Sequence, residues 1–403
     1  MGRYTISKDP RADAAVQDSL NLIVRNILEL MNGNIDAIVL VGGFGRGEGG
    51  VILENGRFRP VNDFDIVVIV SKGYVRIRKR YARQLQELSK KLAPLCGVKQ
   101  IDIGISHPLR FRFAPNLVES YEVRNGYRVL WGDVNLKQLM PSLPAAKLPL
   151  LDGAIYFLSR GSGLLIPALY FLPDGKVLPK YRENFQIEID KACMAMGDAL
   201  LLLKKSYHFS YMMRLRRLEK MDMSYVPEGE TIKTWYIDAV ERKLQPQFSW
   251  SGDKIMVRQW FSVRDVFSKF FLWFEGIRLG RPFKNWTEYS IFVVKHVRDP
   301  FRDRLRRWVR IGLRSGLFSY LRKDGWNILW RHSRAFKWAT MPMVLFSLEN
   351  GGINRDQMNR ARTLLGLPPA EGSIESWCET AKEYLKLFHP QGIVAELVRE
   401  ERT

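Results

Sequence analysis

The chain has 403 residues, of which 46% are hydrophobic, 12% aromatic and 26% charged. That composition excludes wholesale disorder and supplies enough apolar surface for two or three domains with cores of their own. The formal net charge of +21 favours anionic partners and leaves three classes open: nucleotides, nucleic acid and acidic membrane surfaces.

The first sixteen residues, MGRYTISKDPRADAAV, are polar and carry no apolar signal core; Ser7 falls one place beyond the myristoylation pattern. Residues 11–31 set Val16, Leu20, Ile23, Ile27 and Leu30 at helical spacing, which predicts an amphipathic helix. IDAIVLV (35–41) reads as a strand. It runs into VGGFGRGEGGV (41–51), where every residue from Gly42 to Gly50 except Phe44, Arg46 and Glu48 is glycine. VILENGRFRPV follows as two short extended pieces about Asn55-Gly56, a hairpin turn signal. DFDIVVIV (63–70) is nearly continuous in apolar residues, as a central strand is. Residues 74–95 predict a basic helix and VKQIDIGIS (98–106) another strand. SYEVRNGYRVLWGD (120–133) reads as a second hairpin, turning at Asn125-Gly126.

The proline-rich stretch after it reads as a connector, which places one domain at 1–145 and a mainly helical domain at 146–403, with a subdivision near 245. The spacing predicts one long helix or two over 185–221, a helix over 261–280, a basic amphipathic helix over 301–322 and two or three more over 355–400. The most apolar stretch, Leu148–Leu172, is interrupted by Asp152, Arg160, glycines and prolines, so no membrane-spanning helix is expected. Cys96, Cys193 and Cys378 show no metal-ligand spacing and read as reduced thiols in the cytoplasm.

Chemistry concentrates between residues 41 and 102. Glycine lacks Cβ, so a glycine turn after a strand lets backbone amides approach an anion closely. Asp63 and Asp65 are two apart on a predicted strand and leave the same face. Two like charges that close raise each other's pKa unless a cation neutralises them, and Mg²⁺ uses one or two such carboxylates together with substrate phosphates. Asp102 adds a third carboxylate on the polar face of its strand, with Gly104 leaving room beside it. Glu48 reads as a partner for Arg46 or for a loop amide.

A strand, Val41-Gly42-Gly43, Asp63-Phe64-Asp65 and a later strand with Asp102 resemble the DNA polymerase β-like nucleotidyltransferase superfamily. The stand-alone two-domain members, such as the aminoglycoside and minimal nucleotidyltransferases, are the most similar. The likeness covers residues 35–106; the spacer is longer than usual there because the 51–61 hairpin is inserted. It implies an α/β (α+β) nucleotidyltransferase domain with a mixed sheet, followed by an all-α domain. It also implies an enzyme that transfers a nucleoside monophosphate from an NTP, ATP first, to a hydroxyl and releases pyrophosphate. Asp63, Asp65 and Asp102 would be catalytic and would hold two Mg²⁺ (or Mn²⁺) ions, while Gly42, Gly43 and Arg46 would bind the triphosphate.

A small metabolite or sugar is the expected acceptor. An RNA 3′ end is the enzymatic alternative, and a nucleotide-binding regulatory module without turnover is the non-enzymatic one. In the helical half, Lys191, Asp198 and Lys205 sit on turns open to a cleft or serve as paired surface charges. The segment 301–338, with Trp308, Trp326, Trp330 and Trp338 among arginines, would stack on RNA, lie on an anionic membrane, or pack on its own core.

Overall fold

The computed structural model describes residues 2–61, 63–172, 174–248, 252–298 and 333–386. It is a mixed α/β protein: an N-terminal region with a four-stranded sheet and helices, followed by a largely helical region. Contacts group the chain into two units. The first takes Met1–Asp152, Gly197–Met223 and Lys233–Ser249, and the second takes Gly153–Met196, Ser224–Ile232 and Trp250–Thr403.

The chain opens with α1 (Pro10–Met31), started by Asp9, whose side chain accepts from the Arg11 amide, and by Pro10 in its first turn. Then come β1 (Ala37–Val41), the single turn α2 (Gly42–Gly45), β2 (Val51–Glu54), β3 (Arg57–Pro60), β4 (Phe64–Ile69), α3 (Tyr74–Leu95) and β5 (Ile101–Ser106). The hairpin over 51–61 is present as β2 and β3, a separate two-stranded sheet. The main sheet has the order β5-β4-β1-β6, where β6 is Arg128–Gly132. β4 and β5 run parallel, and β1 is antiparallel to both β4 and β6.

One face of that sheet is closed by α1 and α3. Ile38, Leu40, Phe64, Ile66, Val68, Ile101 and Ile105 share a core with Val16, Leu20, Ile23 and Ile27 of α1 and with Tyr81, Leu85 and Leu92 of α3. Side chains alternate along a strand, so Val41, Asp65 and Asp102 belong to the other face.

The second hairpin, expected over 120–133, does not form. Only β6 is a strand there; the first half is a helix, α5 (Val118–Asn125), after the short α4 (Pro108–Arg112). Val118 and Tyr121 are buried at helical spacing, and Asn125-Gly126 ends the helix: the Gly126 amide bonds the Glu122 carbonyl at 2.8 Å. The connector holds two short turns, α6 (Leu136–Leu139) and a 3-10 turn at Ala145–Lys147.

The helices that follow are α7 (Leu150–Phe171), α8 (Pro179–Leu203), α9 (Tyr211–Glu219), α10 (Gly229–Leu244), α11 (Asp253–Leu279), α12 (Trp286–His296), α13 (Arg334–Leu345), α14 (Arg355–Leu365) and α15 (Ile374–Lys386). The stretch 185–221 is thus two helices. In the second unit Phe157 is packed among Phe267, Phe270, Phe271 and Phe274, with ring centres 4.6–5.6 Å away. Trp338 belongs to this core and donates to the Ala154 carbonyl at 3.2 Å. The helix expected over 301–322, with Trp308, Trp326 and Trp330, and the chain beyond 386 lie outside the described residues. By length and composition α7 would span a membrane (mean hydropathy 1.2), and 78% of that window is buried inside the protein. No disulfide joins the three cysteines.

Candidate functional site

Strand register brings the carboxylates together. Asp65 of β4 is the Cα partner of Asp102 on parallel β5, and on its other side it faces Val41 of β1. Asp63 precedes β4 by one residue and is exposed, as is Asp102. The Asp65 carboxyl is pushed up to about 6, by burial first, then by the charges of Asp102 and Asp63; Arg46 and Lys243 pull the other way. Asp102 accepts from Gln100 Nε2 at 2.6 Å. Among the described residues, no three His, Cys, Asp or Glu side chains are placed to share one ion.

The glycine turn meets Asp65 directly. β1 ends at Val41, and Gly42 starts α2 with φ +68. That left-handed conformation disfavours any side chain, and a Cβ at Gly42 would collide with the Asp65 carboxylate. Backbone and carboxylate thus touch at the end of β1. Gly43 follows inside α2 and is half-buried. At the far end of the loop, a Cβ on Gly50 would stand 2.7 Å from the Lys243 carbonyl oxygen, so the loop is packed against the last turn of α10.

Arg46, read from the sequence as a phosphate ligand, faces inward. Its side chain is 4% exposed and its Nη1 pairs with Glu122 at 3.0 Å. Glu122 also accepts from Tyr207 Oη at 2.6 Å, and Arg214 Nη2 lies 3.4 Å away. Arg214, 1% exposed, donates to Asp198 at 2.6 Å and to Tyr207 Oη at 2.8 Å, while Tyr236 Oη donates to Asp198 at 2.8 Å. Burial pushes the Glu122 carboxyl up, but Arg46, Arg214 and the Tyr207 hydroxyl outweigh it and hold it low. Burial raises Asp198. Asp198 is therefore a buried partner of Arg214, and Lys191 pairs with Glu188 at 2.7 Å.

Glu48 caps a helix. It lies 3.8 Å from Arg46 Nε and accepts from Ser210 Oγ (2.7 Å), the Tyr211 amide (2.8 Å) and the Met212 amide (3.1 Å) at the start of α9. Negative charge is favoured at that end of a helix. Three cations surround the Tyr211 ring: Arg214 at 4.0 Å, Arg46 at 4.9 Å and Lys243 at 5.2 Å. Burial raises the Tyr211 hydroxyl, yet Lys243, Arg46 and Arg214 bring it below its ordinary value.

The sequence reading passed over Glu122, Tyr207, Tyr211, Arg214 and Lys243. Arg214 is one of three arginines in MMRLRRLE, and no local signal separates the buried one from its neighbours. On the hairpin side of the loop lies a cavity of ≈ 870 Å³, bordered by Ser7, Leu53, Phe58, Leu244, Gln245 and Phe248.

No protein-family model, no curated protein and no solved structure matches the chain.

Proposed function

We propose that the chain is a nucleotidyltransferase that moves a nucleoside monophosphate from an NTP to a hydroxyl acceptor. One observation carries this reading: Gly42 backbone in contact with Asp65, whose register neighbour is Asp102. A glycine turn alone, or a carboxylate pair alone, is ordinary structure; their contact is what a phosphate–metal site requires.

The donor set suits Mg²⁺ or Mn²⁺ by its chemistry: three hard carboxylates, one of them raised to about 6 by burial and by its two neighbours. Asp63, Asp65 and Asp102 would hold the ions, each ion needing only one or two carboxylates beside substrate oxygens. A metal held there would neutralise triphosphate charge and lower the pKa of the attacking hydroxyl. The Gly42-Gly43 turn would offer backbone amides to the phosphates. Lys243, whose charge acts on Asp65 as that of Arg46 does, would supply a cation to the phosphates while the Arg46 side chain is held by Glu122. Arg46, Glu122 and Arg214 hold the Tyr211–Lys243 side in place. The acceptor hydroxyl would lose its proton to solvent as its oxygen forms the bond to the α-phosphorus, the bond to the β-phosphate oxygen breaks, and pyrophosphate leaves.

A small metabolite or sugar is the acceptor proposed first; the ≈ 870 Å³ cavity is lined by none of Gly42, Gly43, Asp63, Asp65 and Asp102 and does not bear on that choice. The +21 charge supports RNA as the second reading. Titration of ATP with Mg²⁺ by calorimetry tests the site without knowledge of the acceptor. Binding that is lost in Asp65→Asn and Asp102→Asn is the expected result, and equal affinity in both variants would remove the proposal.

A further inference from the structure

The C-terminal ends of β4 and β5 carry a surface that nucleotidyl transfer does not use. Asp65 is opposite Asp102 and Ile69 is opposite Ser106. The carboxylates therefore mark one end of the sheet, and the chain leaves the other about 13 Å further along, at ~3.3 Å per residue. There α3 begins and α4 lies beside it. The Tyr74 and His107 rings meet edge to face at 5.5 Å, and His107 Nε2 is 3.1 Å from the Ser71 carbonyl oxygen.

Three large apolar side chains stand in solvent around that junction: Val75 is 78% exposed, Leu109 52% and Phe113 74%. Leu109 lies in α4 and Phe113 caps its C-terminal end, its amide bonding the Leu109 carbonyl at 3.0 Å. Lys72, Arg76, Arg78, Lys79, Arg110 and Arg112 are exposed around them. The sequence holds no Asp or Glu from 66 to 86 or from 103 to 118; at this end of the sheet the Asp36 carboxylate accepts from the Ser71 amide and Asp133 follows the Gly132 partner of Ala37, so the six cations outnumber the two acids. Cations in the first turns of α3 also oppose the helix macrodipole, so folding gains nothing from them.

Exposed apolar side chains on segments that also carry several exposed cations match the chemistry of an anionic bilayer. The apolar side chains enter the boundary between headgroups and acyl chains, and the Lys and Arg side chains gain from the negative surface potential. A single-strand nucleic-acid surface instead relies on aromatic platforms for stacking, and two of the three exposed apolar residues here are aliphatic. We propose that this end of the sheet docks the protein on an anionic membrane surface and leaves the carboxylate end away from it. The inference does not depend on the reading of the carboxylate site.

Flotation of the full chain with phosphatidylcholine vesicles, with and without phosphatidylglycerol, tests it. Flotation only with the anionic vesicles, reversed by salt, is expected. The triple variant Arg76→Gln/Arg78→Gln/Lys79→Gln should lower the bound fraction roughly tenfold, and Leu109→Ser/Phe113→Ser should lower it while salt sensitivity remains. All five positions are exposed, and a circular-dichroism melt checks that the variants are folded. Hydrogen exchange on the unaltered chain should slow at 74–83 and 107–113 when vesicles are added. No flotation at low salt, or flotation that both variants leave unchanged, overturns the proposal. So does single-stranded RNA binding that the triple variant abolishes and the Leu109/Phe113 variant does not touch, in place of vesicle binding.

Discussion

Asp65 and Asp102 are neighbours across a parallel strand pair, and the charge of the second helps hold the carboxyl of the first near 6. The folded-state pKa of Asp65 thus lies above its unfolded value, 3.8. Its contribution to stability is complete below that unfolded value and is lost as pH rises through 6. Without divalent cations, Asp65→Asn should therefore flatten the stability profile between pH 4 and 7. At pH 8 the variant should be more stable than the parent by about 3 kcal/mol, as measured by urea unfolding. A parent profile already flat over that range would remove the like-charge cluster.

Gly42 tests the turn. Gly42→Ala puts a Cβ at φ +68 against the Asp65 carboxylate. The left-handed conformation alone costs about 1–2 kcal/mol, and the carboxylate must also move. Nucleotide affinity should fall more than tenfold while helix content stays the same. Unchanged affinity by calorimetry would mean that the turn does not face the nucleotide.

Glu122 holds two buried arginines. Glu122→Ala leaves Arg46 and Arg214 short of a partner, and stability should drop by about 3–5 kcal/mol. The Glu122 carboxyl is held below its ordinary value of 4.5. Its contribution is therefore present above that value and lost as pH falls through the folded-state pKa. The parent and the alanine variant should converge in stability in acid. A loss under 1 kcal/mol at neutral pH would show the network to be dispensable.

Lys243 is half-buried beside the Tyr211 ring and acts on Asp65. Lys243→Met keeps most of the stem and removes the charge. The Kd for an NTP should rise at least about tenfold (1.4 kcal/mol), with little change in Tm. Loss of stability without loss of affinity would assign Lys243 to structure instead.

Much of this was legible along the chain. The strands at 35–41, 63–70 and 98–106 announced themselves by continuous or alternating apolar residues, and the inserted hairpin by Asn55-Gly56. The second Asn-Gly misled, because Asn125-Gly126 serves as a helix end as readily as a hairpin turn. Burial of Val118 and Tyr121 decided between the two. The order Gly42-Gly43, Asp63, Asp65, Asp102 pointed to one end of one sheet. The inward turn of Arg46 was not legible. It depends on Glu122, Tyr207 and Arg214, which come from distant segments and carry no local pattern. Lys243 escaped notice for the same reason, since its place beside the Tyr211 ring follows from where α10 ends.

The central claim is transfer of the α-phosphate group through the carboxylate end of the sheet. Its most direct measurement is incubation of the purified chain with α-labelled and γ-labelled NTPs, Mg²⁺ and a cell extract divided into RNA and small-molecule fractions. The account predicts that label from the α position, and none from the γ position, enters the small-molecule fraction, and that Asp65→Asn abolishes it. Label that arrives equally with Asp65→Asn, or label carried over only from the γ position, would contradict the account.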